Sequence, residues 1–396
     1  MPSIANTILA ALLCAAAAAH AQPAWKPEKS VEIIIGTSPG GPQDRLGRTL
    51  QKVLQESRLV EVPVSVENKP GGGGAVALAA LAQRTGGSTL MRWIAVDLND
   101  SADCVRKLGT LTEVTHIFYA ARYDHPEGLP ESVEINAAML ENVVKAVEPK
   151  SSLEHVHAVH GSKYYGTQLG PVPVPLTEES PRANNRNFYF VQEDFLREQS
   201  RGKQWGYSTS RPHSFCDPAV DYARSASMVI AVYAAVQHEL GLSLDFPGTA
   251  ASFEVPNQFT DTALLARAIG WMAREPRCAN QSFNVVNGDY PSWSALWPRI
   301  AKEFAMRPGK PANVKLAIYM ADKGPLWDSI VHKHKLHPTR LADVALWPYG
   351  DYLLRPEWEI HSSMDKARAL GFDATLDSGS MFAQHFAHYR AAKIIP

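Results

Sequence analysis

The sequence is poor in cysteine, carries no surplus of either charge and holds no apolar run long enough to cross a bilayer. Its four cysteines, Cys14, Cys104, Cys216 and Cys278, lie far apart in 396 residues without a CxxC pair. That signals neither a zinc site nor a disulfide framework, and leaves the last three to packing. A net charge of −1 and a pI near 6.9 exclude the clustered cationic groove that a nucleic acid needs. Small neutral or mildly anionic ligands fit better. No GxSxG serine elbow occurs, and His155, His157 and His160, at strand spacing, come without the further ligands a metal shell requires. What remains is an ordinary globular composition, 45% apolar and 20% charged, with a length that suggests about two or three domains.

The longest apolar stretch, Ile8 to Ala19, is too short for a membrane span and is followed by Ala19-His20-Ala21, a small-x-small pattern before Gln22. Residues 1–21 therefore read as a secretory signal, although no Lys or Arg supplies the positive n-region. The expected product is periplasmic and free of the membrane after cleavage, or cytoplasmic if the signal is not used.

Further on, Val31 to Ile35 reads as a strand, a turn rich in Gly and Pro runs to Asp44, and Arg45 to Gln55 reads as an amphipathic helix. Glu61 to Glu67 alternates as a strand, and the loop Asn68 to Gly74 launches a helix over Ala75 to Gln83. Both glycine-rich turns precede helix N-termini, where free N–H groups attract anions. From Arg92 the reading gives strands at Ile94–Leu98, His116–Ala120, the segment ending at His160, Gly206–Ser210 and Ser282–Val286. Helices fall at Ser132–Glu148, with Ile135, Met139, Val143 and Val147 inward, and at Val220–Leu240. Alternation of this kind makes a mostly parallel sheet with right-handed crossovers. From about Tyr290 the chain is helical around Trp293, Trp297 and Trp327.

Two stretches carry candidate chemistry. In HVHAVHGSKYYG (His155–Gly166) a strand turns at Gly161, so that Lys163 emerges at the strand's carboxyl end, where open α/β sheets bind ligands. In NFYFVQED (Asn187–Asp194) a helix begins, and Tyr189 could point back at the same crevice. An ammonium beside a phenol favours the phenolate and eases proton transfer to a substrate oxygen. Tyr389-x-x-x-Lys393 has a familiar dehydrogenase spacing, but its place at the end of the chain makes it a coincidence.

From about Arg92 to Pro396 the chain resembles the progesterone 5β-reductase and iridoid synthase-like group of short-chain dehydrogenases. The likeness rests on VTHIFYA, HGSKYYG, NFYFVQEDFL, SRP, VYAAVQHE, LDFPG, SFNVVNGD and the terminal KIIP. It implies a Rossmann-like, mostly parallel sheet over residues 92–289 and a helical substrate lid over 290–396. It also implies an NADP(H)-dependent reductase of enone, enal or carbonyl compounds, with Lys163 and a tyrosine at the reacting oxygen. The family reads NFYY, with the second tyrosine catalytic, where this chain has NFYF: Phe190 stands at that position, and its neighbour Tyr189 is the candidate in its place. Asp97, Leu98, Lys163, Pro212 and Phe215 match cofactor-lining positions, a small-molecule substrate is the expected partner, and a homodimer is left open. Residues 24–91, through VEIIIGTSPGG and VENKPGGGGA, resemble instead the start of the solute-binding receptors of tripartite tricarboxylate transporters. This puts a βαβα unit of the periplasmic-binding-protein type where the reductases carry TGxxGxxG, and leaves an organic-anion binding protein or an inactive fusion as the competing readings.

Overall fold

A computed structural model describes residues 94–123, 131–220 and 223–396, together with the strands β1 (Val31–Ile35) and β2 (Val64–Asn68). These two pair in parallel, from Val31↔Val64 to Ile35↔Asn68, as a two-stranded sheet. Adjacent parallel strands require a crossover between them. The glycine-rich turns and the helices expected at Arg45–Gln55 and Ala75–Gln83 lie outside the described residues, as does residues 1–21.

The principal sheet has four parallel strands: β3 (His116–Tyr119), β4 (His155–Val159), β5 (Gly206–Pro212) and β9 (Gln281–Val285), in the order β3-β4-β5-β9. Four of the five residues of β4 are buried, without alternation, because parallel strands are covered on both faces. One cover is a layer in which α2 (Val133–Val147) packs between α1 (Ser101–Leu108) and α3 (Phe188–Ser200). The buried stripe of α2 runs through Met139, Leu140, Val144 and Val147, while Ile135 and Val143 lie at its margin.

Short parallel pairs, β6 (Ser214–Cys216) with β8 (Phe259–Asp261) and β7 (Leu244–Phe246) with β10 (Pro308–Pro311), flank the sheet. Between them runs α4 (Ala226–Glu239), buried almost all round as its Ala/Val/Met sequence dictates. It starts later than the apolar pattern from Val220 suggests. Ser225, at its first cap, accepts a hydrogen bond from Asp217 N at 3.0 Å and donates one to Asp217 O at 3.1 Å, which ties the start of the helix to the end of β6. Around α4 pack α7 (Gly324–His334), α8 (Trp347–Leu354) and α9 (Ser378–Ala391), α6 (Trp293–Glu303) packs on α9, and α5 (Thr262–Met272) packs on β5 and β8. Trp293, Trp297 and Trp327 are all at most 1% exposed. Two of them place the indole N–H on a carbonyl, Trp297 on Leu244 at 2.7 Å and Trp327 on Thr339 at 3.1 Å.

The strand expected at Ile94–Leu98 is irregular. A strand needs a neighbour for its ladder, and no described strand flanks it. Instead Asp97 closes a turn, accepting from Asn99 N at 3.0 Å, with its own carbonyl taking the N–H of Asp100. Asp100 then caps α1 through Ala102 N and Asp103 N.

Candidate active site

The carboxyl ends of β3, β4 and β5 converge on one place. After β4 the chain passes Gly161 and enters a short 3-10 turn, Ser162–Tyr165, which carries Lys163. A side chain at Gly161 would put its Cβ 3.3 Å from the Tyr189 hydroxyl oxygen and 3.6 Å from the Pro212 carbonyl oxygen, so the missing Cβ lets the phenol come down onto the strand end. Asn187 joins the two halves: its Oδ1 caps α3 by accepting from Tyr189 N at 3.0 Å, and its Nδ2 donates to the Lys163 carbonyl at 2.9 Å.

Tyr189 stacks on His160, with ring centroids 4.8 Å apart. Phe190 leaves α3 in another direction and meets the edge of Tyr164 at 5.0 Å and the Arg182 guanidinium at 5.1 Å. Successive helical side chains diverge by about 100°, so Tyr189 takes the cleft and Phe190 the packing.

The Lys163 ammonium lies 3.1 Å from Glu131 Oε1 and 5.8 Å from the centre of the Tyr352 ring. Arg122 reaches the same carboxylate oxygen at 3.1 Å. Burial raises the Glu131 carboxyl, but Lys163 and Arg122 outweigh it and hold it below its ordinary range. Burial, with Glu131 adding to it, pushes the Tyr189 phenol well above its ordinary range. The phenolate that an adjacent ammonium would favour is therefore not the resting form. Lys163 is engaged by Glu131, and Tyr189 stands as a protonated donor.

Behind the pair lies a buried ionic network. Glu193, one turn along α3 from Tyr189, accepts from Arg211 at 3.0 Å, Tyr164 at 2.6 Å, Arg182 at 2.9 Å and Ser282 at 2.6 Å. Burial works against its charge, yet Arg211 and these donors bring the carboxyl down to about 2. Arg211, 2% exposed, also lies 3.5 Å from the Tyr164 ring centre and donates to Tyr165 Oη at 3.0 Å. The turn of Lys163 and the helix of Tyr189 thereby share one anchor.

Of the other residues singled out in the sequence, Pro212 ends β5 beside Gly161. Phe215, on β6, packs in the cluster that includes Val159 and Phe283. Asp97 is exposed in its turn, and the Leu98 carbonyl accepts from Asn142 at 2.9 Å; no described interaction links either to Lys163 or Tyr189. His155 and His157 hydrogen-bond Ser208, and His157 also Ser210, as core polar groups. Tyr389 belongs to α9, fully buried, and donates to the Asp217 carbonyl. Glu131, Arg122 and Tyr352 escaped sequence reading because nothing local marks them. The Asn187 cap was signalled by an Asn one residue before a helix.

Beside the Lys163 turn opens a cavity of about 530 Å³, bounded by Ser162, His213, Gln258, Tyr352, Lys315 and Arg355. Two buried polar atoms on the β3 side, Tyr119 Oη and Arg122 Nε, have no partner among the described residues. Arg122 stands beside the Lys163–Glu131 pair at the strand ends, where open α/β sheets take a dinucleotide, so its unpaired Nε fits a donor to a nicotinamide ribose.

A parallel sheet with a lysine and a tyrosine at its carboxyl edge and a substrate-sized cavity alongside defines a Rossmann-type oxidoreductase. Residues 94–396 match the PRISE-like Rossmann-fold domain, and the chain belongs to that family of short-chain dehydrogenases. It is 33% identical over 319 residues to an (S)-8-oxocitronellyl enol synthase of Nepeta cataria, covering 77% of this chain and 80% of the relative. It is 32% identical over 319 residues to a 3-oxo-Delta(4,5)-steroid 5-beta-reductase of Arabidopsis thaliana, with the same shares. Among solved structures it is similar to RMD from Pseudomonas aeruginosa complexed with NADPH, with a TM-score of 0.56 and 13% identity over 92% of this chain and 100% of that one. A Thermus thermophilus UDP-glucose 4-epimerase with NAD gives 0.55 and 15% over 92% and 99%. These structural alignments extend ahead of residue 94, where β1 and β2 lie. The receptor resemblance of residues 24–91 has no support from the family match, which begins after it.

Proposed function

We propose that the protein reduces an enone or enal C=C bond, or a carbonyl group, of a small molecule with NADPH as reductant. When bound, the dinucleotide supplies the hydride. Lys163 would hold its ribose at the end of β4, and Pro212 would face the nicotinamide across Gly161. The protonated Tyr189 donates a hydrogen bond to the substrate oxygen on which negative charge develops, the term that weighs most in such reactions. Among the described residues Arg122 and Lys163 share the one carboxylate of Glu131 at that corner, which favours a developing negative charge there.

The observation that carries the reading is the meeting of Tyr189 and the Lys163 turn over a glycine at the carboxyl end of β4, in a chain whose relatives are named as enol synthases and steroid reductases. NADPH consumption with cyclohexenone and citral as acceptors tests it, with NADH in parallel to set the cofactor preference. Turnover is expected with NADPH, and Tyr189→Phe lowers kcat about 100-fold. No consumption with any enone, enal or aldehyde refutes the reading. We also propose, on the residue 1–21 pattern, export to the periplasm, which fractionation of expressing cells tests.

A further inference from the structure

The cavity beside the Lys163 turn holds more charge than a neutral enone requires. Its lining includes three ionisable groups that carry charge at neutral pH, Lys315, Asp351 and Arg355. The Asp351 carboxylate is committed: Oδ1 accepts from Leu316 N at 2.6 Å and Oδ2 from Ala317 N at 3.1 Å, fastening the segment after Lys315 to α8. Lys315 and Arg355 have no ion-pair or hydrogen-bond partner for their side chains among the described residues, and both are exposed at the cavity. The remaining candidate cation, His213, is buried and bonded to Ser362 at 2.7 Å, and burial followed by the nearby His361 pushes it down to about 3, so it adds no charge. Tyr352 lines the same cavity and its ring centre lies 5.8 Å from the Lys163 ammonium, and Ser162, next to Lys163, lines it too, which sets the cavity against the reacting corner.

We infer that the substrate carries a carboxylate, bound by Lys315 and Arg355 at the end of the cavity away from Tyr189. The inference rests on the reductase reading for the identity of the site, and extends it to the charge class of what is reduced. Two unpaired cations in a cleft attract an anion and penalise nothing when it is absent, since both remain hydrated. Because the carboxylate is remote from the reacting carbons, its contacts are the same in ground and transition state. They belong in KM and leave kcat alone.

The test uses the full chain with NADPH and a matched pair of acceptors, 8-oxonon-6-enoate and its methyl ester. The acid is expected to have a KM at least tenfold below that of the ester at similar kcat. Lys315→Glu/Arg355→Glu should raise the KM of the acid at least tenfold while leaving kcat/KM for the ester within about twofold. Equal KM values for acid and ester, or an equal loss for both in the double variant, overturn the inference. If neither compound is reduced, turnover of cyclohexenone and citral decides the reductase reading separately. The anion site is then decided by calorimetric titration of nonanoate and methyl nonanoate, which supports it if the acid alone binds and the double variant abolishes that binding, and overturns it otherwise.

Discussion

Acidification is expected to unfold this protein well before its carboxylates are protonated, because four histidines are buried in the neutral form. His155, His157, His160 and His213 are each at most 6% exposed. Burial is the leading cause in all four: it takes His155 down to about 4 and His160 and His213 to about 3, and pulls His157 in the same direction. The unfolded chain binds these protons near pH 6.5, the folded chain only at lower pH, near 4 at His155 and near 3 at His160 and His213. Between those values the unfolded state holds more protons, so stability falls as pH falls. At pH 5 each histidine is about 1.5 pH units under its unfolded pKa, which costs about 2 kcal/mol. Four together cost about 8 kcal/mol, comparable with the roughly 5–15 kcal/mol that holds an ordinary protein folded. Urea unfolding followed by tryptophan fluorescence at pH 7, 6 and 5 measures the loss directly. Near pH 5 the slope of stability against pH should correspond to about four protons, and His213→Gln should remove about one of them. A slope below one proton would show that these imidazoles are protonated in the folded state and refute the reasoning.

Other perturbations test the site. Gly161→Ala puts a Cβ 3.3 Å from the Tyr189 hydroxyl, and the displaced phenol should lower kcat about tenfold with little change in the urea midpoint; unchanged turnover would mean that the phenol is not held there. Glu193→Ala strands the buried Arg211 charge and should cost about 3–5 kcal/mol in urea unfolding, a loss that Glu193→Gln, which keeps an acceptor, reduces. That contribution also has a sign in pH: Glu193 is held down to about 2, so its share of stability persists above its unfolded pKa and disappears as pH falls from about 4 towards 2.

Much of this was legible because it depends on local pattern. β4, β5 and β9 are short runs of buried residues bounded by polar or glycine turns, and they fall within a residue or two of where the sequence puts them. Lys163 could be placed because a glycine after a strand forces a turn at the ligand-binding edge of the sheet. Tyr189 could be placed because an Asn starts its helix. The strand read at Ile94–Leu98 shows the limit: an apolar run becomes a strand only where another strand accepts its hydrogen bonds, and that depends on distant chain. The same limit hid Glu131 and Tyr352, which reach Lys163 from 32 and 189 residues away, and the cations Lys315 and Arg355, which look like ordinary surface charges until the cavity between them exists. The direction of Phe190 was also beyond the sequence, since it is set by Tyr164 and Arg182 taking up that ring.

The order β3-β4-β5-β9 means that from residue 116 onward the principal sheet is laid down outward, one strand after another, away from β3. Every crossover after β3 therefore stays on one side of that strand, and a cut ahead of residue 94 severs a single covalent passage without rerouting any other. Lys163, Tyr189 and their supporting network all come from the chain beyond that passage, so the two halves of the candidate site are held to each other by β4, β5 and α3.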